Sequence, residues 1–154
     1  ARSLLLDAEG QRPFLVYAPV QTDKTSESMA EIYREVTEIR GERPPMPEEV
    51  ARAKDKNTLT LAGRWETADA VAASLAEMVR FGLPDDYWNT SPDQVRALSD
   101  QQISSAASDV LQPDSMVWVV VGDRAKIESG IRELGYGDII LMDADGNVLD
   151  AEGP

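Results

Sequence analysis

Met116-Val117-Trp118-Val119-Val120-Val121-Gly122-Asp123 is the stretch on which the reading of the fold turns. Six consecutive apolar residues, four of them valine, lie between Pro113-Asp114 and Gly122-Asp123. That length and β-branched content fit a strand buried on both faces, since a half-exposed strand would alternate. Valine is stiff at χ1 and packs well on a pleated surface, so the run is a poor helix and a good central strand. Burying such side chains contributes about 1.5–3 kcal/mol each before entropy is subtracted. A charge at Val119 is therefore expected to unfold the domain.

Outward from this strand the chain reads as helices and short strands. On the upstream side Ser99, with Gln102 three residues on, forms a capping box for a helix whose apolar face is Ile103, Ala106, Ala107, Val110 and Leu111. Asp85 to Leu98 has a helical pattern interrupted by Pro92, so two short pieces are expected. Val71, Leu75, Met78 and Val79 mark a helix closed by Phe81-Gly82 and Pro84. Pro44-Pro45-Met46-Pro47 is a rigid linker, and Pro47-Glu48-Glu49 fits a helix start running toward Ala62, with a break expected at Gly63 to Glu66. Met29, Ile32, Tyr33, Val36 and Ile39 recur at helical spacing and predict a helix from Thr25 to Arg40. Ser3 to Asp7 and Arg12 to Pro19 read as two strands joined by a turn containing Gly10. Downstream, Asp123 is placed to cap a helix with inner face Ile127, Ile131 and Leu134, ending at Gly135. Asp138 to Met142 reads as a last strand and Asp145-Gly146 as a turn, and residues 143–154, with four acids and no base, as a loose acidic tail.

The 154 residues predict one domain, and 42% hydrophobic with 28% charged content is ordinary for a globular protein. A formal charge of -13 argues against nucleic acid or an anionic membrane surface as the main partner, because both need a basic footprint. No run approaches the roughly 20 apolar residues of a membrane span. The sequence starts at Ala1 rather than Met and reads as a fragment. It contains neither cysteine nor histidine, so there is no Ser-His-Asp or Cys-His arrangement, and zinc loses its usual ligands. Missing cysteine leaves the redox compartment undecided.

The motifs that resemble sites are weak. Gly122-Asp123 after a valine-rich run suggests the edge of a nucleotide site, but the dinucleotide fingerprint needs three glycines, and a strand end with a helix cap explains the pair as well. Asp143-Ala144-Asp145-Gly146 has the wrong glycine position and no closing glutamate for a calcium loop, and suits a turn. Glu48-Glu49 and Asp85-Asp86 point in different directions and are helix-start acids rather than acid–base pairs. Trp65, Trp88 and Trp118 are scattered, with core or hinge packing as their expected role. No residue is assigned to catalysis, cofactor binding or metal ligation.

The order of pieces is nevertheless specific. Val20-Gln21-Thr22-Asp23-Lys24-Thr25 leading to Glu27-Ser28, then Pro47-Glu48-Glu49-Val50 with Ala53-Lys54, then Leu83-Pro84-Asp85-Asp86-Tyr87, the Ser99-Asp100 cap, and Val119-Val120-Val121-Gly122-Asp123 together resemble the pitrilysin/insulinase family of zinc metallopeptidases. The resemblance covers nearly the whole chain. It implies an α+β fold, a mostly antiparallel sheet with helices packed on one face, here the C-terminal, non-zinc domain with its opening strands missing. It also implies a bacterial-type parent, a periplasmic location, peptide as substrate, and an N-terminal zinc-bearing half or partner subunit. The family's His-x-x-Glu-His helix cannot be placed on a chain without histidine, and its substrate-steadying Arg and Tyr would fall upstream of Ala1. Zinc is thus expected in the partner and none in this chain. The alternative within the resemblance is a structural or assembly module from a zinc-less member. A strand edge left without its neighbour would favour a homodimer of the fragment.

Overall fold

In the computed structural model, which describes residues 1–149 except the side chain of Ala62, local sequence signals become elements where the sequence supplies its own caps. Among the described residues six α-helices and one two-stranded antiparallel sheet form, an α+β arrangement in the loose sense. The sheet is much smaller than the mostly antiparallel sheet expected. The chain divides into two compact units, one of Ala1–Tyr17 with Tyr33–Met116, the other of Ala18–Ile32 with the residues from Val117 on.

In the first unit, β1 (Arg2–Leu5) and β2 (Phe14–Tyr17) pair antiparallel with Arg2 opposite Tyr17 and Leu5 opposite Phe14. The hairpin is the one expected. It is extended by Leu6 N–H donating to Pro13 O at 2.9 Å, and Arg12 closes the loop on Asp7 and on Leu6 O.

Helix α1 (Thr25–Glu38) contributes its first half to the second unit and its second half to the first. It stops two residues short of Arg40. Its end tightens as Arg40 and Gly41 N–H reach Thr37 and Glu38 carbonyls, while the Arg43 guanidinium bonds Glu35 and Glu38. Helix α2 (Pro47–Leu59) starts as its proline and acids indicate, the Glu49 carboxylate accepting from Met46 N–H at 2.9 Å. Val50 and Thr58, two turns apart, are its buried positions.

The expected break is present between Gly63 and Glu66. A 3₁₀ turn over Thr60–Gly63 ends α2, and α3 (Ala68–Phe81) begins after Thr67, whose hydroxyl accepts from Ala70 N–H at 3.2 Å. Gly82 closes α3 in the left-handed conformation, φ 59°.

Helix α4 (Tyr87–Ala97) passes uninterrupted through Pro92, which corrects the expectation of two pieces. Pro92 removes only the donor for Trp88 O; Tyr87 and Trp88 on its first turn pack edge-to-face, and at its far end Lys54 of α2 donates to the Arg96 and Leu98 carbonyls. A lysine at these terminal carbonyls is favourable for hydrogen bonding and for the helix dipole. Helix α5 (Asp100–Val110) carries the full capping box, Gln102 N–H donating to Ser99 Oγ and Ser99 N–H to Gln102 Oε1.

The second unit holds the largest correction. Met116 to Asp123 is not a buried strand: Val117–Gly122 is without regular structure and without a backbone hydrogen bond among the described residues. Val117, Val119 and Val121 are 88%, 86% and 95% exposed. Valine-rich composition specifies a preference for extended backbone, not the neighbour that must pair with it, and the two strands that do form pair with each other. A charge at Val119 therefore meets solvent rather than a core. Trp118 faces the other way and stacks on Tyr136, centroids 5.8 Å apart and planes at 19°.

Helix α6 (Arg124–Leu134) follows and ends at Gly135 as expected, with Ile127 buried. Asp123 occupies the cap position, but its carboxylate pairs with Lys126 Nζ at 2.9 Å rather than capping the helix amides. Gly130 of α6 lies so close to α1 that a Cβ there would sit 3.0 Å from Ser26 Oγ.

The strand expected over Asp138 to Met142 is reduced to one bridge, Met142 with Val148. The turn between them is present: Asp143 N–H bonds Asn147 O, and its carboxylate accepts from the Asp145 and Asn147 amides. Residues 143–149 are thus a bonded turn instead of a loose tail, and residues 150–154 lie outside the described residues. No helix among the described residues is long and apolar enough to cross a membrane.

Candidate functional site

Two tryptophans that are distant in sequence meet in the first unit. Trp65 follows the 3₁₀ turn and Trp88 opens α4, and their rings contact edge-to-face with centroids 5.8 Å apart. The Arg64 guanidinium lies over the Trp88 ring at 4.0 Å from its centroid, while Tyr87 meets Trp88 from another side at 4.9 Å.

Ser74 of α3 organises this cluster. Its hydroxyl accepts from Trp65 Nε1–H at 2.9 Å and from Arg64 Nε–H at 3.3 Å, and donates to Ala70 O at 3.0 Å. Arg64 is also paired with Glu77, one turn further along α3. The guanidinium is held at once by a carboxylate, a hydroxyl and an aromatic face, the combination its planar fork suits and a lysine would not.

Arg64, Glu77, Tyr87 and Trp88 border a cleft of about 230 Å³, lined also by Asn57 of α2, Leu61 of the 3₁₀ turn and Ser91, Pro92 and Val95 of α4. The Nε1–H of Trp88 is buried and has no acceptor among the described residues. A buried indole donor left unpaired is costly. A smaller cleft, about 170 Å³, opens where the hairpin loop residues Asp7 and Arg12 approach Glu77, Phe81 and Tyr87.

The cluster presents a fixed guanidinium, an aromatic face and hydroxyls. Glu77 is engaged by Arg64, and no thiol or imidazole exists in the chain to serve as nucleophile or base. Among the described residues no group of three His, Cys, Asp or Glu is placed to hold a metal ion. The displaced titrations lie elsewhere, on the surface. Hydrogen bonds from Arg124 and Arg132 hold the Glu128 carboxyl below its ordinary value, and those from Asn147 do the same for Asp143. Hydrogen bonding to Glu27 raises Lys24, and to Glu38 raises Arg43.

The weak sequence motifs are not brought together. Gly122-Asp123 lies at the end of the irregular Val117–Gly122 stretch, with Asp123 in the cap position of α6 but bonded to Lys126; Asp143 to Gly146 forms the bonded turn, Glu48-Glu49 starts α2, and Asp85-Asp86 lies just before α4. Trp118 is separate from the other two tryptophans, against Tyr136. The Arg64–Ser74–Glu77–Trp88 cluster is not legible in the sequence. Its one local signal is that Arg64-Trp65 and Tyr87-Trp88 each pair an aromatic residue with a cation or a second ring beside a helix boundary.

No protein-family model, curated protein or solved structure matches the chain.

Proposed function

We propose that this chain is the non-catalytic C-terminal domain of a zinc-dependent metalloendopeptidase of the pitrilysin/insulinase type. In this reading it helps to enclose and position a peptide while another domain or subunit supplies the zinc site. The observation that carries the reading is the order of motifs from Val20-Gln21-Thr22-Asp23-Lys24 through Pro47-Glu48-Glu49 and Leu83-Pro84-Asp85-Asp86-Tyr87 to Val119-Val120-Val121-Gly122-Asp123. The cleft beside Arg64 and Trp88 supports it in a limited way. At about 230 Å³ it is below the range of sites for drug-sized ligands, and has room for one peptide side chain beside the Arg64 guanidinium and the Trp88 ring.

The test is reconstitution. The parent polypeptide, or this chain mixed with its neighbouring half, is assayed on an unfolded peptide with and without a zinc chelator. Cleavage that needs both halves and zinc supports the proposal, as does a His-x-x-Glu-His segment in the parent. A parent without that segment, or cleavage that proceeds equally well without this chain, overturns it; the former result would make the chain an assembly module. The isolated chain is expected to bind no stoichiometric zinc and cleave nothing, since it has neither imidazole nor thiol. One tightly held zinc per chain in metal analysis would contradict this.

A further inference from the structure

We propose that Val117–Val121 pairs with the same residues of a second copy of this chain, antiparallel, about a two-fold axis through Val119. The inference is independent of the peptidase reading.

The stretch is uncharged, and its backbone N–H and C=O groups bond no other backbone group among the described residues. An open apolar edge of this kind is a template for another strand. One side of it is already used. Trp118 stacks on Tyr136, and Gly122 lies against Ile127, where a Cβ would come within 3.0 Å of Cδ1. On the other side Val117, Val119 and Val121 are almost fully exposed, an apolar row that a monomer in water has no reason to keep bare.

Charge selects the occupant. A net -13 disfavours polyanions and membranes as partners. A basic segment would be drawn to the acidic surfaces, not to a run with no charge. A second copy is repelled by those surfaces, yet at physiological salt the screening length is about 8 Å, so contact through an uncharged edge is tolerated.

Register makes the choice sharper. A two-fold antiparallel pair must place a residue opposite its own copy, because adjacent residues face opposite sides of the sheet. With Val119 on the axis, Val117 meets Val121 of the other copy, Trp118 meets Val120, and Asp123 falls level with Ser115. All six exposed valines then share one face, close enough for cross-strand contact. Moving the axis to Val120 sets Asp123 opposite Val117, and moving it to Trp118 sets Ser115 opposite Val121. The run is self-complementary in one register.

The experiment uses the whole chain, whose lack of cysteine makes a single introduced thiol unique. Sedimentation across a concentration series is expected to give a monomer–dimer equilibrium. Val119→Cys, incubated with glutathione disulfide, is expected to form a covalent homodimer, since directly opposed residues in an antiparallel pair lie within disulfide reach. Val117→Cys alone should cross-link at least about tenfold more slowly, while an equal mixture of Val117→Cys and Val121→Cys should give the mixed dimer readily. Val119→Lys should weaken association by about a hundredfold or more, equivalent to about 2.8 kcal/mol, with its helical circular dichroism unchanged. A monomer at every concentration overturns the proposal, as does a dimer that cross-links equally at all three positions or survives Val119→Lys. Capture of an unrelated extended apolar peptide by a chain that stays monomeric also overturns it. If Val119→Lys loses its helices, the position dependence of cross-linking decides alone.

Discussion

Ser74, 3% exposed, holds three interactions with one hydroxyl and joins α3 to Arg64 and Trp65. Replacement by alanine leaves the Trp65 and Arg64 donors without this acceptor in a part-buried place, so Ser74→Ala is expected to destabilise by about 1–3 kcal/mol. Glu77→Gln removes the ion pair to Arg64, but both side chains are more than a quarter exposed, and such a pair is worth at most about 1 kcal/mol. Urea midpoints should therefore rank Ser74→Ala as the more damaging; the reverse order would place the cluster's strength in its charges. A different residue gives the pH response. Asp143 accepts from Asn147 and Asp145 in the folded turn, and these bonds lower its pKa from the ordinary 3.8. A carboxyl with a depressed folded pKa adds stability above its unfolded value, and that stability is lost as pH falls through the lower folded value. The Asp145 and Asn147 amide signals are expected to titrate with a midpoint below 3.8, and Asn147→Ala should move that midpoint upward. A midpoint above the ordinary value would show the turn is not held this way.

Elements capped by nearby residues were legible from the sequence, and those needing distant partners were not. Ser99 and Gln102 announce α5, Pro47 and Glu49 announce α2, and Thr67 with the 3₁₀ turn supplies the break that follows, all within a few residues of one another. Gly63, a poor residue for a helix interior, ends the 3₁₀ turn without a positive φ, and the cap at Thr67 starts the next helix. Val117–Gly122 was misread because pairing is non-local, and the Trp65–Trp88 contact because 23 residues separate its members. Pro92 was misread because one missing N–H does not outweigh packing on both ends of α4. The lost bond to Trp88 O still has an energy. Pro92→Ala restores that donor and improves helix propensity, with proline about 3 kcal/mol worse than alanine in a helix interior. Thermal unfolding of Pro92→Ala is expected to shift upward by about 1–3 kcal/mol; no change would mean that proline's restriction of the unfolded chain cancels its cost in the helix.

At the scale of the molecule, 28 acidic side chains against 15 basic ones dominate. The described ion pairs are mostly exposed, such as Arg43 with Glu35 and Lys126 with Asp123, and contribute little each. Self-repulsion of a net -13 opposes both compactness and association. Raising salt from low to physiological strength is therefore expected to raise the unfolding temperature, whereas a protein resting on its ion pairs would lose stability. Differential scanning calorimetry at two salt concentrations decides between them. This charge balance was readable at the outset; which side chains would line a cleft was not, because Asn57, Glu77 and Trp88 come from three helices. The close approach of Gly130 to Ser26 carries one more implication. The second unit is assembled from two stretches of chain with Tyr33–Met116 between them, so genetic dissection cannot treat it as a removable tail. A stop codon after Met116 deletes α6 and leaves the start of α1 facing water where Gly130 had been. The damage of such a loss falls near residue 26, far upstream of the segment removed.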